Sequence, residues 1–165
     1  MFEISELPLA GGAVGISRAP GRHGDYAGDL RAVLDWHPDL VLTMISDLEM
    51  EAIDAETIGA DLAKAHVLWR HFPVTDFRAP CARAVAEWPA VEAEVMAVLS
   101  AGGKVLVHCY GGCGRSGMAV LKLMVDAGED RNAAIERLRA ARPGAVESAS
   151  QAAWACDSSV AAAAS

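Results

Sequence analysis

The stretch from Lys104 to Val125 constrains this chain more than any other. Lys104-Val105-Leu106-Val107-His108 is a short β-rich run. A glycine-dense segment follows, Cys109-Tyr110-Gly111-Gly112-Cys113-Gly114-Arg115-Ser116-Gly117, and then Met118 to Val125 is apolar enough for a buried helix. A strand, a tight glycine loop and a helix N-terminus together make an anion cradle, because successive backbone N–H groups turn inward and the helix dipole adds partial positive charge. Cys109 opens this loop and Arg115 closes it, with five residues between them. A thiol in such surroundings is favoured as the thiolate. A guanidinium offers a planar fork that matches two oxygens of a tetrahedral anion. The loop is therefore suited to hold a tetrahedral dianion over a nucleophilic sulfur.

Two other readings compete. A nucleotide-binding loop of the form G-x-x-x-x-G-K-[ST], aligned on Gly114-Arg115-Ser116, requires Gly at 109 and Lys at 115, and both are missing. A buried, inert cysteine is common in cores, but it requires neither the surrounding glycines nor the arginine.

His108-Cys109, Gly112, Arg115 and Ser116 resemble the His-Cys-(five residues)-Arg-Ser signature of the cysteine-dependent protein tyrosine phosphatase superfamily. Within it, His-Cys-Tyr-Gly-Gly-x-Gly-Arg-Ser is similar to the dual-specificity branch, in particular to the cyclin-dependent-kinase-associated phosphatases. The resemblance implies that the loop residues Tyr110, Gly111, Gly112, Cys113, Gly114 and Arg115 bind phosphate. Gly117 departs from relatives that carry a bulkier side chain there, which bears on the subfamily. Cys113 stands where an aliphatic residue is usual, either as a space-filler or as a resolving thiol for oxidised Cys109, a role for which Cys81 competes.

The rest of the chain predicts an α/β fold. Residues 2–16 suggest two short strands, and Arg18-Ala19-Pro20-Gly21-Arg22-His23-Gly24 a basic loop, either a solvated turn or a wall of the cleft. Tyr26, Leu30, Val33 and Leu34 mark an amphipathic helix closed by Pro38. Leu40 to Ile45 and Val67 to Phe72 read as strands. Between them, Asp47 to Ala65 gives two short helices, with Gly59 weakening the join. Cys81 to Trp88 and the stripe Val91, Val95, Val98 and Leu99 are helical, with Pro89 expected to start a new helix or kink the old one. Asp130 is a candidate N-cap, Arg142-Pro143-Gly144 a stop, and Ser148 the start of a last helix, after which the alanine tail beyond 160 is expected to fray. Strands alternating with helices predict one domain over residues 1–165, with a mainly parallel central sheet flanked by helices on both faces.

A sulfur-based hydrolysis needs a proton donor for the departing oxygen. Asp76 is the candidate, on the loop Pro73-Val74-Thr75-Asp76-Phe77-Arg78-Ala79-Pro80, although an Asp in a loop also serves local turns. Phe72 to Pro80 resembles the F-P-[IV]-x-D-x-x-x-P acid loop of the same superfamily. Ser116 can donate to the sulfur, cap the following helix, or both. His108 orders the loop backbone rather than acting as a base. Gln151, in a segment resembling R-P-G-x-[IV]-E-x-x-x-Q, either places the attacking water or is a solvated helix glutamine.

A formal charge of −8 argues against nucleic acid or an anionic membrane as the main partner. The four cysteines form neither a disulfide scaffold nor a C-x-x-C pair, the start lacks a secretory pattern, and no apolar run reaches a membrane span. The expectation is a cytoplasmic, monomeric, metal-independent and cofactor-free enzyme. It would hydrolyse phosphotyrosine or phosphoserine/threonine on proteins. The absence of lysine from the loop disfavours inositides. The rivals are a rhodanese-like sulfurtransferase, which has no use for Asp76, and a weakly active phospho-recognition module.

Overall fold

Two strands at the start of the chain turn back on each other, and everything after them winds in parallel. The computed structural model describes residues 1–157; the expectation for the tail beyond 160 lies outside them. Ser5–Leu9 (β1) pairs antiparallel with Gly12–Ser17 (β2). Tyr26–Asp35 (α1), capped by the Asp25 side chain, leads to Leu40–Thr43 (β3). Asp47–Glu51 (α2) and Ile58–Lys64 (α3) precede Leu68–His71 (β4). Ala82–Ser100 (α4), Lys104–His108 (β5) and Gly114–Asp126 (α5) follow. Arg131–Ala141 (α6) and Ala149–Ala155 (α7) close the described chain, capped by Asp130 and Ser148.

The sheet order is β1-β2-β5-β3-β4, and every pairing except β1 with β2 is parallel. The sheet is thus mixed and mostly parallel, as predicted. β5 is its middle strand, and Val105, Leu106 and Val107 are fully buried beside Leu40 and Leu42 of β3. Burial on both faces explains their unbroken apolar run. Each such side chain contributes roughly 1.5–3 kcal/mol. Helix α4 packs on β2 and β5, as does α5, which also holds α6 and α7. No helix among the described residues is long and apolar enough to cross a membrane.

Three local expectations differ. Of the two alternatives at Pro89, a new helix start is excluded: Pro89 lies inside α4, whose buried residues Trp88, Val95 and Leu99 flank it. Gly59 is not the join between the two short helices; the break precedes Ile58, and Gly59 lies inside α3 against the Trp69 ring. Strands β3 and β4 are shorter than their apolar runs, because Met44, Ile45 and Phe72 leave the ladder while remaining buried.

Parallel winding has one consequence for chemistry. The segments that leave β2, β5, β3 and β4 all emerge at the same carboxyl edge of the sheet, the usual place for a ligand in an open parallel sheet. They carry, in spatial order, the basic loop, Cys109, Glu49 and Asp76.

Candidate active site

Cys109 leaves the end of the middle strand and is 3% exposed. Its Sγ accepts the Gly112 N–H at 3.2 Å, and Ser116 Oγ lies 3.3 Å away. The loop around it is held from outside by its carbonyls. Ala19 donates its N–H to the Tyr110 oxygen at 3.1 Å. Arg142 donates through Nη2 to Gly111 at 3.3 Å and through Nε to Gly112 at 2.8 Å. Val146 and Gly117 both donate to the Cys113 oxygen. Four successive carbonyls are thus held by groups other than the sulfur, and the Gly112 N–H turns toward it. Gly112 makes the turn possible: its φ is +75°, and a Cβ there would stand 2.5 Å from the Ser17 carbonyl. Gly117 is equally constrained, with the Val146 nitrogen 2.8 Å from where its Cβ would be.

Arg115 is 1% exposed. Nη1 and Nη2 donate to Glu49 Oε2 and Oε1 at 2.9 and 2.8 Å, and Nη1 also donates to the Val74 carbonyl at 3.0 Å. Nε has no hydrogen-bond partner, although Asp76 Oδ1 is 3.4 Å away. The fork is thus fastened at one end, with a buried N–H left over at the other. Burial works against the charge of Arg115, but the bonded Glu49, the Cys109 sulfur and Asp76 outweigh it and raise its pKa above the ordinary value. Burial likewise opposes ionisation of Glu49, and is overcome by Arg115 and by the Ser46 N–H, so that its carboxyl stays below the usual range.

Asp76 is half exposed and accepts the N–H of Phe77, a residue in the left-handed region at φ 59°. Together with Ser46, Glu49, Pro73, Val74 and Thr75 it lines a cavity of about 330 Å³ beside Arg115. The predicted acid and the predicted clamp therefore meet.

His108 is buried, and its Nε2 lies 2.7 Å from Thr43 Oγ1, which also accepts the Trp69 indole N–H. Burial pushes its pKa down to about 4, so the ring is neutral and ties β5 to β3. Gln151 is not a solvated helix residue. It is fully buried, its Oε1 accepts the Glu147 and Ser148 N–H groups, and its Nε2 is unpartnered near Gly114. Cys113 Sγ faces the Gly111 carbonyl at 4.0 Å, and all four cysteines are free. Of the basic loop, Arg18 is paired with Asp29, and Arg22 lies over the Tyr110 ring.

Two residues escaped the sequence. Glu49 was legible only as the end of a capping box, Ser46-Asp47-Leu48-Glu49, a role it does fill. Arg142 stood in a stop signal with no assigned partner.

A sulfur that accepts a loop amide, beside a fastened arginine at the carboxyl edge of a mostly parallel sheet, fits a cysteine-based phosphatase. The profile of the family described as polymorphic toxin system, DSP-PTPase phosphatase, matches residues 27–129, and the chain belongs to that family. It is a phosphatase of the dual-specificity type, and so a hydrolase.

Solved structures agree. Kinase associated phosphatase (KAP), with serine replacing its catalytic cysteine, superposes with a TM-score of 0.85 at 20% identity, over 99% of this chain and 97% of that one. Tk-PTP in its active form gives 0.67 at 31% identity, over 89% and 90%. PTPMT1 in complex with PI(5)P gives 0.75 at 19%, over 98% and 99%. Comparison with curated proteins finds no match.

Proposed function

We propose that this phosphatase hydrolyses phosphotyrosine and/or phosphoserine/threonine on proteins through a cysteinyl-phosphate intermediate. The observation that carries this reading is the unpartnered Nε–H of the buried Arg115, beside a sulfur that already accepts a loop amide. The Cys109 sulfur attacks phosphorus as the bond to the leaving oxygen breaks. Arg115 and the amides from Tyr110 to Arg115 stabilise the equatorial oxygens. Asp76 gives its proton to the departing oxygen, then as carboxylate takes one from the water that attacks the intermediate. Ser116, 3.3 Å from the sulfur, eases its departure in that second step. Gln151, whose unpartnered Nε2 lies near Gly114, helps place the attacking water, and His108 is structural.

Each role is filled by a side chain, and Asp76 at 3.4 Å from Arg115 has a use here that sulfur transfer would not give it. PTPMT1 was solved with PI(5)P, but the absence of lysine from this chain's loop supports phosphoprotein over inositide. The acidic charge disfavours nucleic acid and anionic membrane as partners, and the reading is of a monomeric cytoplasmic enzyme with one catalytic domain over residues 1–165. Steady-state turnover on a panel of phosphopeptides and phosphoinositides tests the reading. Preference for the peptides is expected, and a clear preference for the inositides overturns it.

A further inference from the structure

The loop that carries Asp76 and the helix that carries Glu49 leave the sheet from neighbouring strands, β4 and β3. Three consecutive carbonyls at the exit of β3 join the two segments. Thr43 accepts the Phe72 N–H at 2.8 Å, and Met44 accepts the Val74 N–H at 3.2 Å. The third rung is a side chain: His71 Nε2 lies 2.6 Å from the Ile45 carbonyl oxygen. A carbonyl only accepts, so the proton sits on Nε2; the opposite tautomer would set two acceptors against each other. This rung ends directly before Ser46, the cap of α2, whose third residue Glu49 fastens Arg115. The ring is also held from its other sides. It stacks on Trp69 with 5.4 Å between centroids, and the Trp69 indole donates to Thr43 Oγ1. Nδ1 faces Asp47 Oδ1 at 3.9 Å. Beyond Val74, Arg78 donates to Thr75 and Phe77 to the Asp76 carboxylate, both within the loop itself. Anchorage at His71, Phe72 and Val74 therefore sets where Asp76 stands.

We infer that His71 is a positioning residue for the proton transfer: its imidazole, bonded to the Ile45 carbonyl, ties the acid loop to α2, so that Asp76 keeps its place beside Arg115. The inference rests on the acid role of Asp76 and deepens it. Phosphate itself is gripped by Arg115 and the cysteine loop, so losing this latch acts on proton transfer rather than on anion binding. A reacting group displaced by about 1 Å loses up to roughly 10²-fold in rate. The two backbone rungs remain when the third is removed, and a loss of about tenfold is expected.

The test compares His71→Phe, which keeps a ring on Trp69 and loses the donor, with His71→Gln, which keeps an N–H donor. Both are assayed on phenyl phosphate, whose leaving group is basic, and on nitrophenyl phosphate, whose leaving group departs without a proton. His71→Phe should lower kcat about tenfold on the first substrate and leave the second, and the affinity for orthophosphate, nearly unchanged. His71→Gln should recover most of the loss, which a role in packing alone would not produce. In the Asp76→Asn background His71→Phe should cost almost nothing further, because the group it positions is gone. If His71→Phe fails to fold, His71→Asn supplies the contrast with His71→Gln, since its shorter amide stops at the Nδ1 position. Equal losses on the two substrates overturn the latch, and so does a His71→Gln protein no better than His71→Phe. Asp76→Asn, measured alongside, separates the two readings. Equal losses there remove the acid and the latch together, whereas a leaving-group-dependent loss in Asp76→Asn without one in His71→Phe overturns the latch alone.

Discussion

Arg115 and Glu49, 66 positions apart, form a two-pronged ion pair with distances of 2.8 and 2.9 Å, and it joins the first turn of α5 to α2. Glu49 is also the N3 residue of the capping box with Ser46, so one carboxylate orders a helix start and fastens the anion clamp. Such a link leaves Arg115 little freedom to swing away from Cys109, and under the proposed mechanism it lowers the cost of organising the site for phosphate.

Glu49→Gln keeps the shape and removes the charge. We expect kcat/KM for an aryl phosphate to fall by roughly tenfold, the effect of one weakened charge-assisted bond. Thermal stability should fall too, because Arg115 is left as a buried cation with a poorer partner. Unchanged kinetics would show that Arg115 is held by the rest of its surroundings.

Cys109→Ser should lower turnover by more than roughly a thousandfold while orthophosphate still binds, since Arg115 and the loop amides remain in place. Steady-state assays and a phosphate titration measure the two effects. Activity within tenfold of the unaltered enzyme would end the nucleophile assignment.

Asp76→Asn should reduce kcat by roughly 10²–10⁴ on a substrate with a basic leaving group, the usual worth of general acid catalysis. The loss should shrink for an activated phenol, which departs without a proton. Equal losses on both substrates would make Asp76 a scaffold residue.

A pH effect should come from away from the site. Burial and the neighbouring Asp126 raise the pKa of the Glu92 carboxyl from 4.5 to about 7, while Lys122 opposes the shift. Asp126 is itself bonded to Lys122 at 3.0 Å, and Lys122 also donates to the Asp157 carbonyl. The folded state holds the Glu92 proton more tightly than the unfolded chain does. This contribution to stability is therefore full below about pH 4.5 and is lost as pH rises through about 7. Melting temperature should decline between pH 6 and 8 in the unaltered protein, and Glu92→Gln should flatten that decline. Superimposable curves would show that Glu92 titrates normally.

The strand–loop–helix outline around Cys109 was legible because it is local. Cys109, the glycines and Arg115 lie within one strand-to-helix connection, where backbone geometry follows from residue type. The caps at Asp130 and Ser148 were legible for the same reason, each side chain bonding an N–H two or three residues on. Asp76 stood out because prolines bound its loop and a strand precedes it.

The positions whose alternatives stayed open in the sequence depend on distant partners. A proline suggests an interruption, yet α4 runs through Pro89 because Trp88, Val95 and Leu99 bury against the core on either side of it, and packing outweighs one missing hydrogen bond. Gln151 looks like a surface glutamine by its neighbours in sequence and is buried because α7 docks on α5. The sequence by itself determined the strand, glycine-dense loop and helix around Cys109 and the alternation of strands and helices, all of which follow from interactions within a few residues. Only the tertiary structure decided that Glu49 grips Arg115, that Arg142 turns the loop carbonyls outward, and that the two flanks of the loop carry opposite charge. The first and the last depend on the strand order β2-β5-β3-β4, and Arg142 reaches the loop across 30 positions from the end of α6.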